Sequence, residues 1–128
     1  MESILLSINP EYVERIFAGS KKYEFRKRLA NRTVDKILMY STAPIMKVVR
    51  EAEVVKTISS SPTALWEYTK KFAGISRDKY RKYFKGCKVA YAYQLGEIIQ
   101  YDPPKELSEF NISLPPQSFI YLSMDESI

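Results

Sequence analysis

Apolar and polar residues alternate along several stretches of the chain, which is the two-residue repeat of a β-strand. Strands are predicted over residues 3–8, 22–28, 35–44, 46–58, 88–101 and 118–123. The stretch 22–28 is unusual because rings alternate with charges, and Tyr23 and Phe25 are predicted to face the core. The opposite face would carry Lys22, Glu24, Arg26 and Arg28. This stretch is therefore predicted to be a half-buried strand with one charged face.

Three other segments have apolar residues three or four positions apart, as on one face of a helix. The first helix is predicted to follow a cap at Asn9 and to end at Gly19. The second is predicted to follow Ser61, and the third to run from a cap at Ser76 to Gly86. The predicted inner faces consist of Tyr12, Val13, Ile16 and Phe17, then Leu65, Trp66, Thr69 and Phe72, then Tyr80, Tyr83 and Phe84.

The order of these elements predicts an α+β fold, a small mixed β-barrel with two or three peripheral helices. The strands are too scattered for a parallel doubly wound sheet. A length of 128 residues suits a single domain over residues 1–128. Within it, residues 102–110 are predicted to form a loop, and the tail 124–128 is predicted to fray.

The residue types exclude several kinds of chemistry. The chain has no histidine, so histidine-based acid–base catalysis and most zinc sites are not expected. It has no glycine-rich phosphate loop and no metal-ligand spacing, so neither a metal nor a cofactor is expected. Its one cysteine, Cys87, suits a reducing compartment, and its first ten residues lack the pattern of a signal peptide. Because no apolar run is long enough to span a bilayer, a cytoplasmic protein without membrane contact is expected.

The net charge of +5 is unevenly distributed. Residues 15–36 contain eight basic residues against two acidic ones, and residues 70–88 contain eight against one. Residues 97–128 contain six acidic residues against one basic, which would suit a basic protein partner. The basic body favours binding of polyanions, although a merely solvated surface would explain the charge equally well. The predicted nucleic-acid face consists of Arg28, Arg77, Arg81 and Lys85.

Lys21, Glu24 and Arg26 form the sharpest candidate site. A carboxylate between two cations stays ionised and can orient the planar guanidinium of Arg26 toward a phosphate. From spacing alone, a structural ion pair between helix and strand is the favoured interpretation. Ser41 and Thr42 follow a strand and could donate hydroxyl groups to the same cleft, or cap a local turn instead.

The pattern G-x-K-x-x-E-x-R, formed by Gly19, Lys21, Glu24 and Arg26, resembles the signature of the ASCH domains. These domains are a branch of the PUA-like β-barrel superfamily. The segment YSTAP at residues 40–44 and the returning strand after it also resemble the family. Arg50 is a departure, since the family often has glycine there. The resemblance implies a barrel with a cleft beside the first helix, lined by Lys21, Glu24 and Arg26.

The resemblance also implies a function connected with RNA. The first hypothesis is an RNA- or nucleotide-binding module for single-stranded RNA or a modified nucleotide. The alternative is a small hydrolase with Lys21 and Glu24 as candidate catalytic residues, acting on RNA or on N4-acylated cytidine. In the branch that acts on acylcytidine, threonine occupies the position of Glu24, so its catalytic set is not reproduced here. A third hypothesis is a protein-interaction domain that uses the acidic C-terminal quarter.

Overall fold

Six strands, three α-helices and two short 3-10 helices make up the part of the chain that the structure describes. A computed structural model describes residues 2–123, so the predicted frayed tail lies outside the described residues. The strands are β1 (Glu2–Ile8), β2 (Tyr23–Arg26), β3 (Lys36–Ser41), β4 (Lys47–Ser60), β5 (Ala90–Lys105) and β6 (Phe119–Ser123). The α-helices are α1 (Pro10–Ala18), α2 (Pro62–Thr69) and α3 (Arg77–Tyr83), and the 3-10 helices span Lys70–Phe72 and Leu107–Phe110.

The strands form one sheet in the order β2-β5-β4-β3-β1-β6. β1 pairs in parallel with β3, and every other pairing is antiparallel. The sheet curls so that the edge strand β2 approaches β1, where Arg26 Nη2 donates a hydrogen bond to the Ser7 carbonyl at 3.4 Å. This mixed α+β, barrel-like architecture confirms the predicted fold class, with the sheet open between β2 and β6.

Local sequence signals explain the helix ends. The Asn9 side chain accepts a hydrogen bond from the Glu11 amide at 2.8 Å and caps α1. Gly19 ends this helix in the left-handed region with φ of 92°. Ser61 and Ser76 cap α2 and α3 through bonds of 3.2 Å to backbone amides. These four boundary predictions are confirmed, whereas α3 ends at Tyr83, before the predicted end at Gly86.

Three groups of buried residues hold the elements together. The inside of the curled sheet is filled mainly from β1, β3, β5 and α1, including Ile4, Leu6, Val13, Ile37 and Tyr93. A second group, including Phe25, Leu65, Tyr80, Phe84 and Ala92, joins β2 and β5 to α2 and α3. A third lies beneath the second 3-10 helix and includes Leu5, Leu38, Tyr40, Val48 and Leu122. Phe25 is 7% exposed and Tyr23 packs against the same group, which confirms the register predicted for β2.

Residues 61–89 form an insertion between two paired strands. Ser60 at the end of β4 pairs directly with Ala90 at the start of β5. The insertion contains α2, α3 and the short helix Lys70–Phe72. It covers the β2–β5 end of the sheet through the aromatic contacts of Phe25 with Tyr80 and Phe84, with ring centroids 5.1 and 6.2 Å apart.

The structure differs from the sequence predictions at several positions. Residues 102–105 belong to β5 instead of a loop, because Lys105 pairs with Val48 of β4. Phe72 is 42% exposed, because α2 ends at Thr69 and a tighter helix rotates the ring away from the inner face. Phe17 is 48% exposed, and it is covered from one side by the guanidinium of Arg50 at 4.2 Å from its ring centroid. No helix within residues 2–123 has the length and apolar character needed to cross a membrane.

Candidate functional site

Glu24 and Arg26 form an ion pair on the edge strand β2. Arg26 Nη2 lies 2.8 Å from Glu24 Oε2, and the two side chains are 18% and 10% exposed. Strand alternation puts both side chains on the face opposite Phe25. In the β2–β5 ladder Glu24 lies opposite Tyr93, whose ring belongs to the sheet interior. The charged face of β2 is therefore largely covered by protein, because the sheet curls over it. Arg26 Nε is also buried and has no hydrogen-bond partner among the described residues.

Lys21 lies near this pair, but its ammonium group forms its hydrogen bond with a backbone carbonyl. Its Nζ donates to the Ala73 carbonyl at 3.0 Å, and the side chain is placed over the rings of Tyr12 and Phe25. Lys21 is 3% exposed. Burial lowers the pKa of its ammonium group below the ordinary value, while the nearby Glu24 carboxylate opposes that effect. The structure thus pairs Glu24 with Arg26 directly and holds Lys21 against backbone.

Ser41 borders a cavity to which that ion pair does not contribute. Ser41 ends β3, is 2% exposed, and borders a cavity of about 180 Å³ with Pro10, Glu14 and Arg50. The Thr42 amide donates to the Ile8 carbonyl at 3.0 Å, and the Thr42 carbonyl accepts a hydrogen bond from the Ile45 amide at 3.2 Å, so Thr42 begins a turn. Capping of this turn by the hydroxyl groups stays a prediction. Neither Lys21, Glu24 nor Arg26 is among the residues that line this cavity. Ligand binding by these five residues stays a prediction.

Arg50, the departure from the family pattern, is a buried side chain that connects β4 to α1. Its Nη1 lies 2.8 Å from Glu14 Oε2, and its guanidinium covers the Phe17 ring at 4.2 Å. The pairing of β4 with β5 shifts register between Val48 and Arg50. The substitution therefore coincides with a backbone irregularity and fills space between the sheet and the first helix.

A groove of about 510 Å³ lies between α2 and α3 in the insertion. Trp66, Tyr80 and Phe84 supply its apolar lining, and Arg77, Arg81, Lys82 and Lys85 supply positive charge. Tyr80 is fixed by its hydroxyl, which donates to the Pro62 carbonyl at 2.7 Å, and burial raises its pKa to about 12. We refer to this space as the α2–α3 groove. It brings together Arg77, Arg81 and Lys85, three residues of the predicted nucleic-acid face.

The cations of that predicted face have no ion-pair partner in the part of the chain that the structure describes. Within residues 2–123, four of the seven arginines are paired with carboxylates: Arg15, Arg26, Arg32 and Arg50. The other three are Arg28, Arg77 and Arg81, which are exposed. Lys82 and Lys85 are likewise outside every ion pair of the described residues. Charges without an internal partner remain available for an anion from solution.

Tyr83 connects the groove helix to the end of β2. Its ring contacts Phe84 with centroids 4.8 Å apart, and Lys27 Nζ lies 5.1 Å from its centroid. Burial raises the pKa of the Tyr83 hydroxyl, and the nearby Arg26 opposes that effect. Lys27 therefore extends the positive surface of α3 toward the end of β2, and a place for Arg28 on that surface stays a prediction.

The predicted face omitted the residue that supplies the largest ring of the groove. Trp66 was assigned to the inner face of the second helix, and it is in fact only partly buried and borders the groove. A single tryptophan in the helix before the basic residues Arg77, Arg81 and Lys85 could have suggested a joint site. The sequence does not reveal, however, that α2 and α3 pack side by side.

The acidic C-terminal quarter uses some of its carboxylates internally. Glu106 pairs with Lys47, and Glu109 accepts a hydrogen bond from the Glu106 amide at 2.9 Å. Binding of a protein partner by this quarter stays a prediction. Within residues 2–123, no group of three or more histidine, cysteine, aspartate or glutamate side chains is placed to hold a metal ion.

Comparison with known proteins identifies the family. The model of the ASCH domain matches residues 6–104. The chain belongs to the ASCH domain family. The crystal structure of ASCH from Zymomonas mobilis superposes with a TM-score of 0.87 at 28% identity, over 97% of this chain and 90% of that one. The extent of this match confirms that the curled sheet with its helices is the ASCH fold.

Two curated relatives differ in how much of their length is matched. An ASCH domain-containing ribonuclease of Zymomonas mobilis subsp. mobilis is 29% identical over 127 residues, which cover 96% of this chain and 86% of the relative. ATP synthase subunit alpha of Ureaplasma parvum is 33% identical over 122 residues, or 94% of this chain. The chain spans only 15% of that second relative. The activity of that whole protein is therefore no guide to this ASCH domain.

Proposed function

We propose that this ASCH domain binds single-stranded RNA. The observation that carries the proposal is the set of exposed arginines that have no carboxylate partner within residues 2–123, namely Arg28, Arg77 and Arg81. Guanidinium groups bind phosphate oxygens through two parallel hydrogen bonds, so unpaired arginines suit a phosphodiester backbone. The similarity to a protein named as a ribonuclease gives the anion a chemical class, namely RNA.

The Glu24–Arg26 pair contributes a second, more selective contact in this proposal. Arg26 Nε is buried without a hydrogen-bond partner among residues 2–123, and the Arg26 side chain retains some exposure. Glu24 fixes the plane of that guanidinium at 2.8 Å, so an incoming phosphate or base edge would meet a preoriented donor. Lys21 strengthens the local positive charge without direct contact, because it is covered by protein.

The experiment is RNA binding measured by fluorescence anisotropy over a series of salt concentrations. Each lost phosphate contact reduces the slope of log affinity against log salt by about 0.7 for a single strand. Arg81→Ala and Arg77→Ala should each flatten the slope by about that amount. Arg32→Ala is the matched control, because Arg32 is exposed and already paired with Glu2 at 3.4 Å. No binding at low salt, or equal slopes for all variants, would contradict the proposal.

RNA cleavage is the second candidate, and the similarity to the Zymomonas ribonuclease favours it. In this case the amine of Lys21, with its lowered pKa, would accept the proton of a ribose 2′-hydroxyl. The 2′-oxygen would then attack the adjacent phosphorus, and the bond from phosphorus to the 5′-oxygen of the next nucleotide would break, with that oxygen taking a proton from water. The 3% exposure of Lys21 opposes direct contact with RNA, so binding is better supported than cleavage. The N4-acylcytidine alternative has no comparable support, because Glu24 stands where that branch has threonine.

Cleavage is tested by incubating the protein with a labelled single-stranded RNA. The control is the same strand with deoxyribose in place of ribose at each cleavage site. Cleavage of the RNA and not of the deoxy-substituted strand, abolished in Lys21→Met, would support the second candidate. Lys22→Met is the control, because Lys22 is exposed and lies over the Phe72 ring. If the RNA stays intact although the protein is folded and binds it, the cleavage hypothesis is rejected and the binding hypothesis is retained.

A further inference from the structure

Trp66 occupies a distinctive position at the border of the α2–α3 groove. It is the single tryptophan of the chain and is partly buried. Its indole packs against Tyr80 with ring centroids 4.8 Å apart and planes tilted by 48°, which holds it in place. Tyr80 is in turn fixed by its bond to the Pro62 carbonyl. The indole is thus a rigid aromatic surface that borders an open groove.

The size and charge of the groove fit one nucleotide unit. Its volume of about 510 Å³ falls in the range of small-molecule sites, roughly 300–1,000 Å³. Rings line it, while Arg77, Arg81 and Lys85 bring positive charge to the same space. An aromatic surface next to unpaired cations is the combination that binds an unpaired base together with its phosphates.

We propose that the α2–α3 groove is a nucleotide subsite in which an unpaired base stacks on Trp66 and the adjoining phosphates contact Arg77 and Arg81. This inference rests on the proposed RNA binding and deepens it, because it assigns a base-binding role to a groove outside the Lys21–Glu24–Arg26 region. Four of the polar side chains that line the groove are cations suited to phosphates, and only Thr63 and Glu67 among the lining residues could accept a hydrogen bond from a base edge. The subsite therefore distinguishes single strands from duplexes more than one base from another.

An acidic peptide is the competing occupant, and the lining argues against it. Carboxylates would pair with the cations, but an acidic peptide supplies no large planar group for the indole. Glu67 also borders the groove and pairs with Lys70 at 2.8 Å. This carboxylate would repel the charges of an acidic peptide and of RNA phosphates alike, so the indole, which an acidic peptide leaves uncovered, decides in favour of a nucleotide.

The experiment uses the fluorescence emission of Trp66 to detect whether a ligand occupies the groove. The full chain is titrated with a ten-nucleotide oligouridylate, with a blunt RNA duplex of matched charge, and with a polyglutamate peptide. We expect the single strand to quench Trp66 with the same midpoint as its binding measured by anisotropy. The duplex and the peptide should leave the emission unchanged at equal saturation.

Two variants separate stacking from charge. Trp66→Ala should weaken oligouridylate binding by about 5- to 150-fold without changing the salt slope, since stacking contributes about 1–3 kcal/mol per base. Trp66→Phe keeps a ring against Tyr80 and should lose less, which guards against a simple folding defect. Circular dichroism before each titration confirms that the variants are folded.

The outcomes distinguish this inference from the proposed function beneath it. RNA binding that depends on Arg81 but leaves the Trp66 emission unchanged would overturn the subsite and preserve RNA binding. Equal quenching by duplex would overturn base stacking, and quenching by polyglutamate in competition with RNA would assign the groove to acidic peptides. No affinity for any RNA at low salt would overturn both proposals.

Discussion

The carboxylate of Glu24 lies 2.8 Å from the guanidinium of Arg26, and both side chains are largely buried on an edge strand. An edge strand usually presents its charges to solvent, but here the curl of the sheet covers them. Burial lowers the pKa of Lys21, and the nearby Glu24 carboxylate partly offsets that effect. One negative charge therefore compensates two positive charges in a region with little water.

Glu24→Gln should lower the free energy of unfolding by about 2–4 kcal/mol, because it leaves buried cations without their counter-charge. Urea denaturation at neutral pH measures the change. Glu11→Gln is the control, since Glu11 forms an exposed ion pair with Arg15 that contributes about 1 kcal/mol or less. Equal losses in the two variants would show that the buried pair has no special structural weight.

Lys21 should make the protein more stable as the pH rises toward 10.5. Its pKa is lower in the folded chain than the ordinary lysine value of 10.5, so the unfolded chain binds more protons between those two values. The contribution of Lys21 to the free energy of unfolding therefore increases with pH through that window. Tyr80 acts in the opposite direction, because its pKa is raised to about 12 in the folded state.

The measurement that isolates Lys21 is the difference in unfolding free energy between the native sequence and Lys21→Met at several values of pH. The tyrosines contribute equally to both proteins and cancel. The difference should move in favour of the native sequence as the pH rises from 7 to 10.5. A difference that does not depend on pH would mean that the ammonium group is as well solvated in the folded chain as in the unfolded one.

Gly74→Ala should destabilise the protein more than Gly86→Ala. Both glycines have positive φ, at 63° and 83°, so each alanine should cost about 1–2 kcal/mol in backbone strain. A Cβ at Gly74 would lie 2.2 Å from Lys21 Cβ, whereas nothing lies within 4 Å of a Cβ at Gly86. Overpacking of this kind adds about 1–3 kcal/mol. Urea denaturation of both variants measures that packing contribution as the difference between their losses of unfolding free energy. Equal losses would show that the contribution is absent.

Glu67→Gln should tighten RNA binding about two- to fourfold at low salt. Glu67 is the one carboxylate among the described residues that line the α2–α3 groove, and its removal also frees Lys70 from their ion pair. The gain corresponds to a surface electrostatic effect of up to about 1 kcal/mol and should disappear at high salt. Glu11→Gln removes the same charge from α1 and serves as the control. Equal gains in both variants would indicate a general effect of net charge without a role for the groove.

The sequence predicted the parts of the fold that depend on near neighbours. The caps at Asn9 and Ser61 and the stop at Gly19 were correct, because each depends on backbone groups within a few residues. The inward direction of Phe25 was also correct, since alternation along one strand determines it. The loop predicted at 102–110 was wrong because β5 continues by pairing with distant residues of β4.

The candidate site was harder to predict because charge pairing depends on tertiary placement. The sequence contains no sign that Arg32 is paired with Glu2 whereas Arg81 has no such partner within the described residues. It likewise suggested a solvent-facing charged side for β2, which the curled sheet covers. The proximity of Trp66 to the cations of α3 follows from the packing of two helices on Phe25 and its neighbours, a contact between distant segments.

The adjacency of Ser60 and Ala90 makes the α2–α3 region a modular cassette. Its ends lie side by side, so evolution can lengthen, shorten or replace residues 61–89 without changing the connection between the two strands. The residues that line the groove all fall inside this cassette, while Glu24 and Arg26 lie outside it. A homologue with a different cassette would retain the buried pair on its edge strand and acquire another preference at the groove. Its new cassette would still have to provide apolar cover for Phe25 and Ala92.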